Sequence, residues 1–227
     1  MVVLILLITA GSIVTFLQQK HAFDYKTLCE ENLKAIGIAL RAYQEAYGTL
    51  PPAYFAGPSE QPSHSWRVML LGFLKEKDAD ALAAVYRWAE PWDSEHNGRL
   101  LDDFMPAAYH CPSQQRARWA FKHTHFVAPV GAGTAWPGQA PGQLPASGKQ
   151  IILIEYRGED IPWTSPRDLA VDAWDDTSIA DSKTGIGSPH GADPLVLYAD
   201  GSVERLSSRT LLSDLKARCQ PAAGSSP

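Results

Sequence analysis

The first 19 residues, MVVLILLITAGSIVTFLQQ, contain no charged side chain. As an α-helix they would be roughly 28 Å long, close to the hydrocarbon thickness of a bilayer. No other stretch constrains the fold as much. It reads first as a membrane anchor, with a cleaved secretory signal and a buried core helix as alternatives. Thr9, Ser12 and Thr15 interrupt its apolar run, and no basic region precedes it. Lys20 and Lys26 follow it, so a bare count of positive charges would leave the C-terminal part in the cytoplasm.

From residue 20 the chain has no Gly or Pro until Gly37, and Cys29, Leu33, Ile36, Leu40, Tyr43 and Tyr47 recur at alternating spacings of four and three. This is one stripe of an amphipathic helix. Gly48 is placed as its C-terminal cap, and Pro51-Pro52 shut the helix off. Residues 18–28, QQKHAFDYKTL, contain no breaker. The anchor and the amphipathic helix therefore read as one rod, with a kink near His21 as the alternative. The stripe is expected to pack on its own domain. A coiled-coil seam is the other reading, with barely three heptads to support it.

The chain has 227 residues, 45% hydrophobic and 20% charged, with a formal charge of −5 and no run of Lys or Arg. These values describe a globular protein with no electrostatic footprint for nucleic acid. Cys29, Cys111 and Cys219 lie far apart with no Cys-x-x-Cys pair, which excludes a zinc ribbon or a thioredoxin-type motif. Their odd number leaves one thiol over from any single disulfide, and three pairings are open.

Residues 65–88 read as one or two helices, and Pro91-Trp92-Asp93 and Asn97-Gly98 as turns. The stretch PVGAGTAWPGQAPGQLPASG, residues 129–148, lacks the Lys-Ser/Thr of a phosphate loop and the spacing of a dinucleotide fingerprint. It reads as an extended surface loop. IILIEY, residues 151–156, reads as a buried strand, and IPWTSPRDLAVDAWDD, residues 161–176, as an irregular excursion.

In SPHGADPLVLYADGSVERL, residues 188–206, two apolar runs flank Asp200-Gly201. Asp-Gly favours a two-residue type I′ hairpin turn. That turn sets Tyr198 opposite Val203, Val196 opposite Arg205, Leu195 opposite Leu206 and Leu197 opposite Glu204. Asp200 and Gly201 are thus placed for their conformation. His190, in turn chemistry before the first strand, is expected to pin the hairpin's approach loop by a hydrogen bond. A metal ligand or a general acid/base at His190 are the alternatives, but no second histidine stands at ligand spacing. His123 and His125 would point to opposite faces of a strand. There is no Gly-x-Ser-x-Gly elbow and no His-Glu-x-x-His helix, and Cys111 would need a base beside it to act as a nucleophile. No catalytic, cofactor-binding or metal-binding residue is assigned.

His190, nine intervening residues, then Asp200-Gly201 resembles the prepilin-type processing-associated H-x9-DG domain. The resemblance extends through CEENLKAIGIALRAYQEAYGTLPPAY, SWRVMLLGFLKE, PWDSEHNGRL, the YHCPS block, FVAPVGAGTAWPG and IEYRGEDIPWTSPRDL. Successive blocks in this order are similar to the large prepilin-like family of unknown function expanded in planctomycete-type bacteria. Two features depart from that pattern. The chain starts at MVVLILL with no basic leader or Gly-Phe-x-x-x-Glu site, and PASGKQ replaces the usual Asp-Gly-Thr-Ser-Asn-Thr segment.

The resemblance implies an α+β, pilin-like fold, in which a long N-terminal helix, membrane-embedded in its first half, packs on an antiparallel-sheet head with long loops. The expected organisation is an anchor at 1–19, an amphipathic helix at 20–48, an exported head at 49–212 ending in the hairpin, and a tail at 213–227. Export of the head, to the periplasm or cell surface from a single-pass inner-membrane anchor, replaces the orientation from the charge count. It also permits a disulfide, which the matching blocks assign to Cys29 and Cys111. The expected function is non-enzymatic, structural or assembly-related, at the cell envelope. The partners are then the membrane and other pilin-like subunits or a secretion or pilus assembly apparatus, without cofactor or nucleic acid. One alternative is an envelope-displayed module binding a glycan or peptide through loops around Trp136 and Trp163. A metal-dependent hydrolase built on His190 and Asp200 ranks below both.

Overall fold

The structure, a computed structural model, describes residues 2–57, 62–112, 122–145, 148–158, 160–189, 191 and 193–221, with side chains from Tyr25 onward except Pro62 and 101–103. Helix α1 runs unbroken over Val2–Tyr47, so the two segments form one helix. Cys29, Leu33, Ile36 and Leu40 are fully buried, Tyr43 is partly buried and Tyr47 is largely exposed. The stripe therefore packs on its own head and runs out at its C-terminal end. Gly48 ends the helix with φ of 79°, its N–H donating to the Gln44 carbonyl at 2.7 Å. That is the left-handed conformation glycine adopts without strain.

The head is built on a four-stranded antiparallel sheet in the order β3 (Phe126–Val127), β5 (Ile151–Glu155), β7 (Leu195–Tyr198), β8 (Val203–Arg205). Its central strands are buried on both sides. Leu153, Leu195 and Leu197 point to a core shared with α1, and Ile151, Ile154, Val196 and Tyr198 to a second core. The second core is closed by α5 (Leu212–Arg218) and by Val171, Trp174, Ile179 and Ile186. The architecture is thus α+β with helix, sheet and covering loops in three layers. The expected tail is corrected in part, because α5 and the buried Cys219 belong to the head.

The hairpin register is a correction. Leu195 pairs with Arg205, Val196 with Glu204 and Leu197 with Val203, one residue off the expected set. The turn holds three residues, not two. The Gly201 N–H donates to the Tyr198 carbonyl at 2.9 Å and the Tyr198 N–H to the Ser202 carbonyl at 2.9 Å. Gly201 has φ of 86°, while Asp200 is not left-handed. A type I turn followed by a left-handed glycine is the common three-residue hairpin loop.

Other expectations also change. A short hairpin, β1 (Tyr54–Ala56) with β2 (Pro62–Ser65), precedes the 65–88 region. The helices there are short: α2 (Trp66–Met69), a 3₁₀ turn (Leu71–Phe73) and α3 (Lys77–Val85). Asn97-Gly98 lies inside α4 (Glu95–Asp103), not in a turn. Ser94 Oγ caps that helix by accepting from the Asn97 N–H at 3.1 Å. The buried Asn97 amide closes the preceding loop by donating to the carbonyls of Arg87, Glu90 and Pro91. Among its described residues, the 129–148 segment is only in part a surface loop. It holds β4 (Pro129–Val130), paired in parallel with β6 (Leu169–Ala170), and Trp136, which is fully buried with its ring N–H on the Ile152 carbonyl at 2.8 Å.

One buried ion pair ties these loops together. The Arg67 guanidinium meets Asp168 Oδ1 at 2.6 Å and donates to the Phe126 carbonyl, while Asp168 also accepts from the Ala128 N–H at 2.7 Å and the Trp66 ring N–H at 3.0 Å. Burial pushes the Asp168 carboxyl up, and Arg67 with these N–H groups pulls it back.

Among the described residues, no helix is long and apolar enough to cross a membrane. The side chains of segment 1–19, the expected anchor, lie outside them.

Candidate functional site

His190, the first member of the sequence signature, lies outside the described residues. Asp200 sits in the hairpin turn with one oxygen accepting from the Ser202 N–H at 2.9 Å and from Ser202 Oγ at 2.6 Å. The Ser202 hydrogen bonds hold its carboxyl below the usual range, and Lys149 adds to them. Asp200 is committed to the turn it makes.

Cys29 and Cys111, 82 positions apart, are brought together in the α1-side core with their sulfurs 2.8 Å apart. Cys219 is buried beneath the other face of the sheet, where burial pushes its thiol up to about 12. Of the three open pairings, only the first joins neighbours. A Glu155 carboxylate oxygen lies within 4.8 Å of both sulfurs, a cluster with the composition of a metal site. That carboxylate accepts from the Leu195 N–H at 3.0 Å and from Ser188 Oγ at 3.3 Å. Glu155 escaped the sequence reading; its signal was a lone acid inside an otherwise apolar strand. His125 Nδ1 is taken up by the Cys111 backbone N–H, which it accepts at 3.0 Å. Both cysteines are fully buried, so the nucleophile reading fails on access.

Trp136 and Trp163, expected as aromatic platforms, are fully buried core residues. The exposed aromatic surface lies elsewhere. A groove of about 600 Å³, within the usual size of small-ligand sites, is lined by Tyr43, Pro52, Phe55, Met69, Trp88 and Pro141. Phe55 is 53% exposed and Trp88 49%. The Trp88 wall is fixed from behind by His64, whose Nε2 meets the Trp88 carbonyl at 3.1 Å and whose Nδ1 meets the Tyr86 hydroxyl at 2.8 Å. The carbonyl can only accept, so His64 Nε2 carries the proton and the tyrosine hydroxyl donates to Nδ1. Burial lowers the His64 pKa, in keeping with this neutral form. Tyr43, another lining residue, packs against Tyr47 and Phe73 with tilted rings, the centroids 4.5 and 5.4 Å away. Among the described residues, the groove offers exposed aromatic faces at Phe55 and Trp88 and no acid, base or nucleophile pair.

A family model described as "Protein of unknown function (DUF1559)" matches residues 26–151, more than half of the chain. The chain belongs to this family. The match begins in the amphipathic part of α1 and ends at the first residue of β5, so it takes in the buried stripe, the Arg67 side of the ion pair, the neighbouring Cys29 and Cys111 and the lining residues of the groove named above. Nothing among curated proteins or solved structures matches the chain.

Proposed function

We propose that this DUF1559 protein is a non-enzymatic, membrane-anchored, pilin-like protein that displays an exported head at the cell envelope. The observation that supports this reading most is the continuity of α1, which joins the charge-free segment to the buried stripe without a break. A helix built this way serves as anchor at one end and as spine of the head at the other. Its partners would be the inner membrane, which it crosses once, and other pilin-like subunits or an assembly apparatus. Full-length protein should remain with membranes in alkaline carbonate; its extraction would overturn the anchor. Shearing of cells then separates two roles. Recovery with filaments marks a polymerising subunit, and retention in the membrane marks a stationary stalk displaying its head.

The groove favours a second reading, in which the displayed head binds a glycan or peptide. Exposed Phe55 and Trp88 over a fixed backing are the form such recognition takes. Binding on glycan or peptide arrays should fall about tenfold or more in Trp88→Ala. Silence of the wild-type protein on both arrays would overturn the ligand reading and leave the anchor reading untouched.

A further inference from the structure

We propose that Cys29 and Cys111 form a disulfide that staples α1 to the head at the point where the helix first becomes buried. Along the described side chains of α1, Tyr25 and Lys26 are half-buried, Thr27 and Leu28 are exposed, and Cys29 is the first with no exposure. The opposing strand of chain is held in register there. Asn32 Nδ2 donates to the Ala107 carbonyl at 3.1 Å and the His110 carbonyl at 2.8 Å, and His125 accepts the Cys111 N–H. Cys111 is therefore held beside Cys29 by side-chain contacts to the backbone at and just before it.

Three chemistries fit two neighbouring sulfurs: a disulfide, two thiols and a shared metal ion. Two unreacted thiols in van der Waals contact stand on the order of 3.5–4 Å apart. A zinc ion with bonds of about 2.3 Å in tetrahedral geometry holds two sulfurs about 3.8 Å apart. The two unbonded sulfurs stand 2.8 Å apart, in direct contact and closer than a shared ion would hold them. Glu155, the third group of the cluster, already accepts from Leu195 and Ser188. Cys219 would have to cross the sheet to take part.

The bond forms by exchange with an exogenous disulfide, RSSR. One cysteine thiolate attacks RSSR and releases RS⁻. The second thiolate attacks the mixed disulfide, releases the other RS⁻ and closes the Cys29–Cys111 bond. Two protons leave the cysteines and two electrons pass to RSSR, which ends as two thiols. Both sulfurs are buried, so exchange takes place before α1 docks or during local opening. Once closed, the bond is shielded from reductant by the same burial. The compartment must be oxidising, but the pairing does not depend on what the head binds or on whether α1 sits in lipid.

The test uses full-length protein isolated from its own cells with thiols blocked in denaturant at lysis, so that buried free thiols react. Intact mass should show one alkyl adduct, on Cys219, and two further sites only after reduction in denaturant. A phosphine reductant applied to the native protein should leave that pattern unchanged. Three adducts at lysis, a bond involving Cys219, or a native mass carrying zinc would overturn the pairing. The staple itself is read by hydrogen exchange over residues 29–36, comparing oxidised with reduced wild type and with Cys29→Ala/Cys111→Ala. Exchange there should rise by about tenfold or more without the bond while β5 and β7 stay protected. Equal protection in all three forms would overturn the staple. Carbonate extraction of a protein whose disulfide is intact would defeat the anchor reading alone.

Discussion

The two faces of the central sheet are equally dry but covered in different ways. On one face Cys29, Leu33, Ile36, Ala39 and Leu40 of a single helix lie over Leu153, Leu195 and Leu197. Gly37 brings the helix close to the sheet there: a Cβ at this position would stand 3.0 Å from Leu197 Cδ2. On the other face a seven-residue helix and irregular chain do the same work. Irregular chain can be buried only if its backbone polar groups are paired. Here the Ile179, Ala180, Leu212 and Ser213 N–H groups donate at 2.8 to 2.9 Å to the carbonyls of Thr210, Ser208, Thr177 and Asp175. A helix brings its hydrogen bonds with it, whereas a loop cover must find each one across the fold. The first face should therefore suffer more than the second from loss of volume in its cover, and the second should depend more on the backbone hydrogen bonds of its cover.

The largest expected effect lies beside the helical face, in the Arg67–Asp168 pair. Asp168→Ala leaves a guanidinium buried without its counter-charge and should cost about 3–5 kcal/mol in chemical denaturation. Arg67→Met combined with Asp168→Leu should recover much of that loss, because a buried pair replaced as a pair is often close to neutral. If the single change costs under about 1 kcal/mol, the pair does not hold the loops.

Next in size is a paired truncation across the sheet. Leu33→Ala, in the long helix, should cost about 3–4 kcal/mol, and Leu215→Ala, in α5, about 2–3 kcal/mol, because a helix of seven residues can shift into the space left more easily than a long one. Both residues are fully buried, so the difference reads the cover and not the exposure. An equal or reversed cost would break the comparison between the two faces.

The third effect comes from pH. Burial lowers the His110 pKa from the ordinary 6.5 to about 4. Between those values the unfolded chain binds more protons than the folded one, so the stability is present in full above about pH 6.5. It is lost as pH falls, and the loss levels off below about pH 4. The drop from neutral pH to about 4.5 should be about 2 kcal/mol. His64, whose pKa burial also lowers, adds to the same slope. Urea midpoints at several pH values check this, and His110→Gln should flatten the profile. An unchanged slope would mean that His110 becomes protonated without cost in the folded state.

The same contrast explains what the sequence made readable. The stripe from Cys29 to Leu40, the cap at Gly48, the strand IILIEY and the presence of a hairpin at Asp200-Gly201 follow from local period and turn chemistry. Glu155 hid inside a strand pattern, since nothing local tells whether a lone acid in an apolar run finds N–H donors on the neighbouring strand. The groove was unreadable for a related reason. Tyr43, Pro52, Phe55, Met69, Trp88 and Pro141 come from five stretches with no common period, and only their packing makes a surface of them. Trp136 and Trp163 misled in the opposite sense: a tryptophan in a Gly/Pro-rich stretch has the composition of an exposed loop, and its burial depends on a carbonyl that accepts the ring N–H, Ile152 for one and Phe104 for the other. The side chains of α5 and Cys219 pack across a face that no heptad or strand pattern announces.

The smallest effect tests the register. Gly201 has φ of 86° with no atom within 4 Å of where a Cβ would sit. Gly201→Ala therefore meets no clash and should cost about 1 kcal/mol, from the left-handed backbone alone. Asp200 distinguishes the two turns. In a two-residue type I′ turn it would be left-handed, and Asp200→Gly would relieve it. In the observed three-residue turn Asp200 has an ordinary backbone and accepts twice from Ser202. Asp200→Gly should then destabilise by about 1 kcal/mol, through added freedom of the unfolded chain and the lost hydrogen bonds. Thermal melts of the two variants give the sign, and stabilisation by Asp200→Gly would restore the two-residue turn and shift every pair of β7 and β8 by one residue.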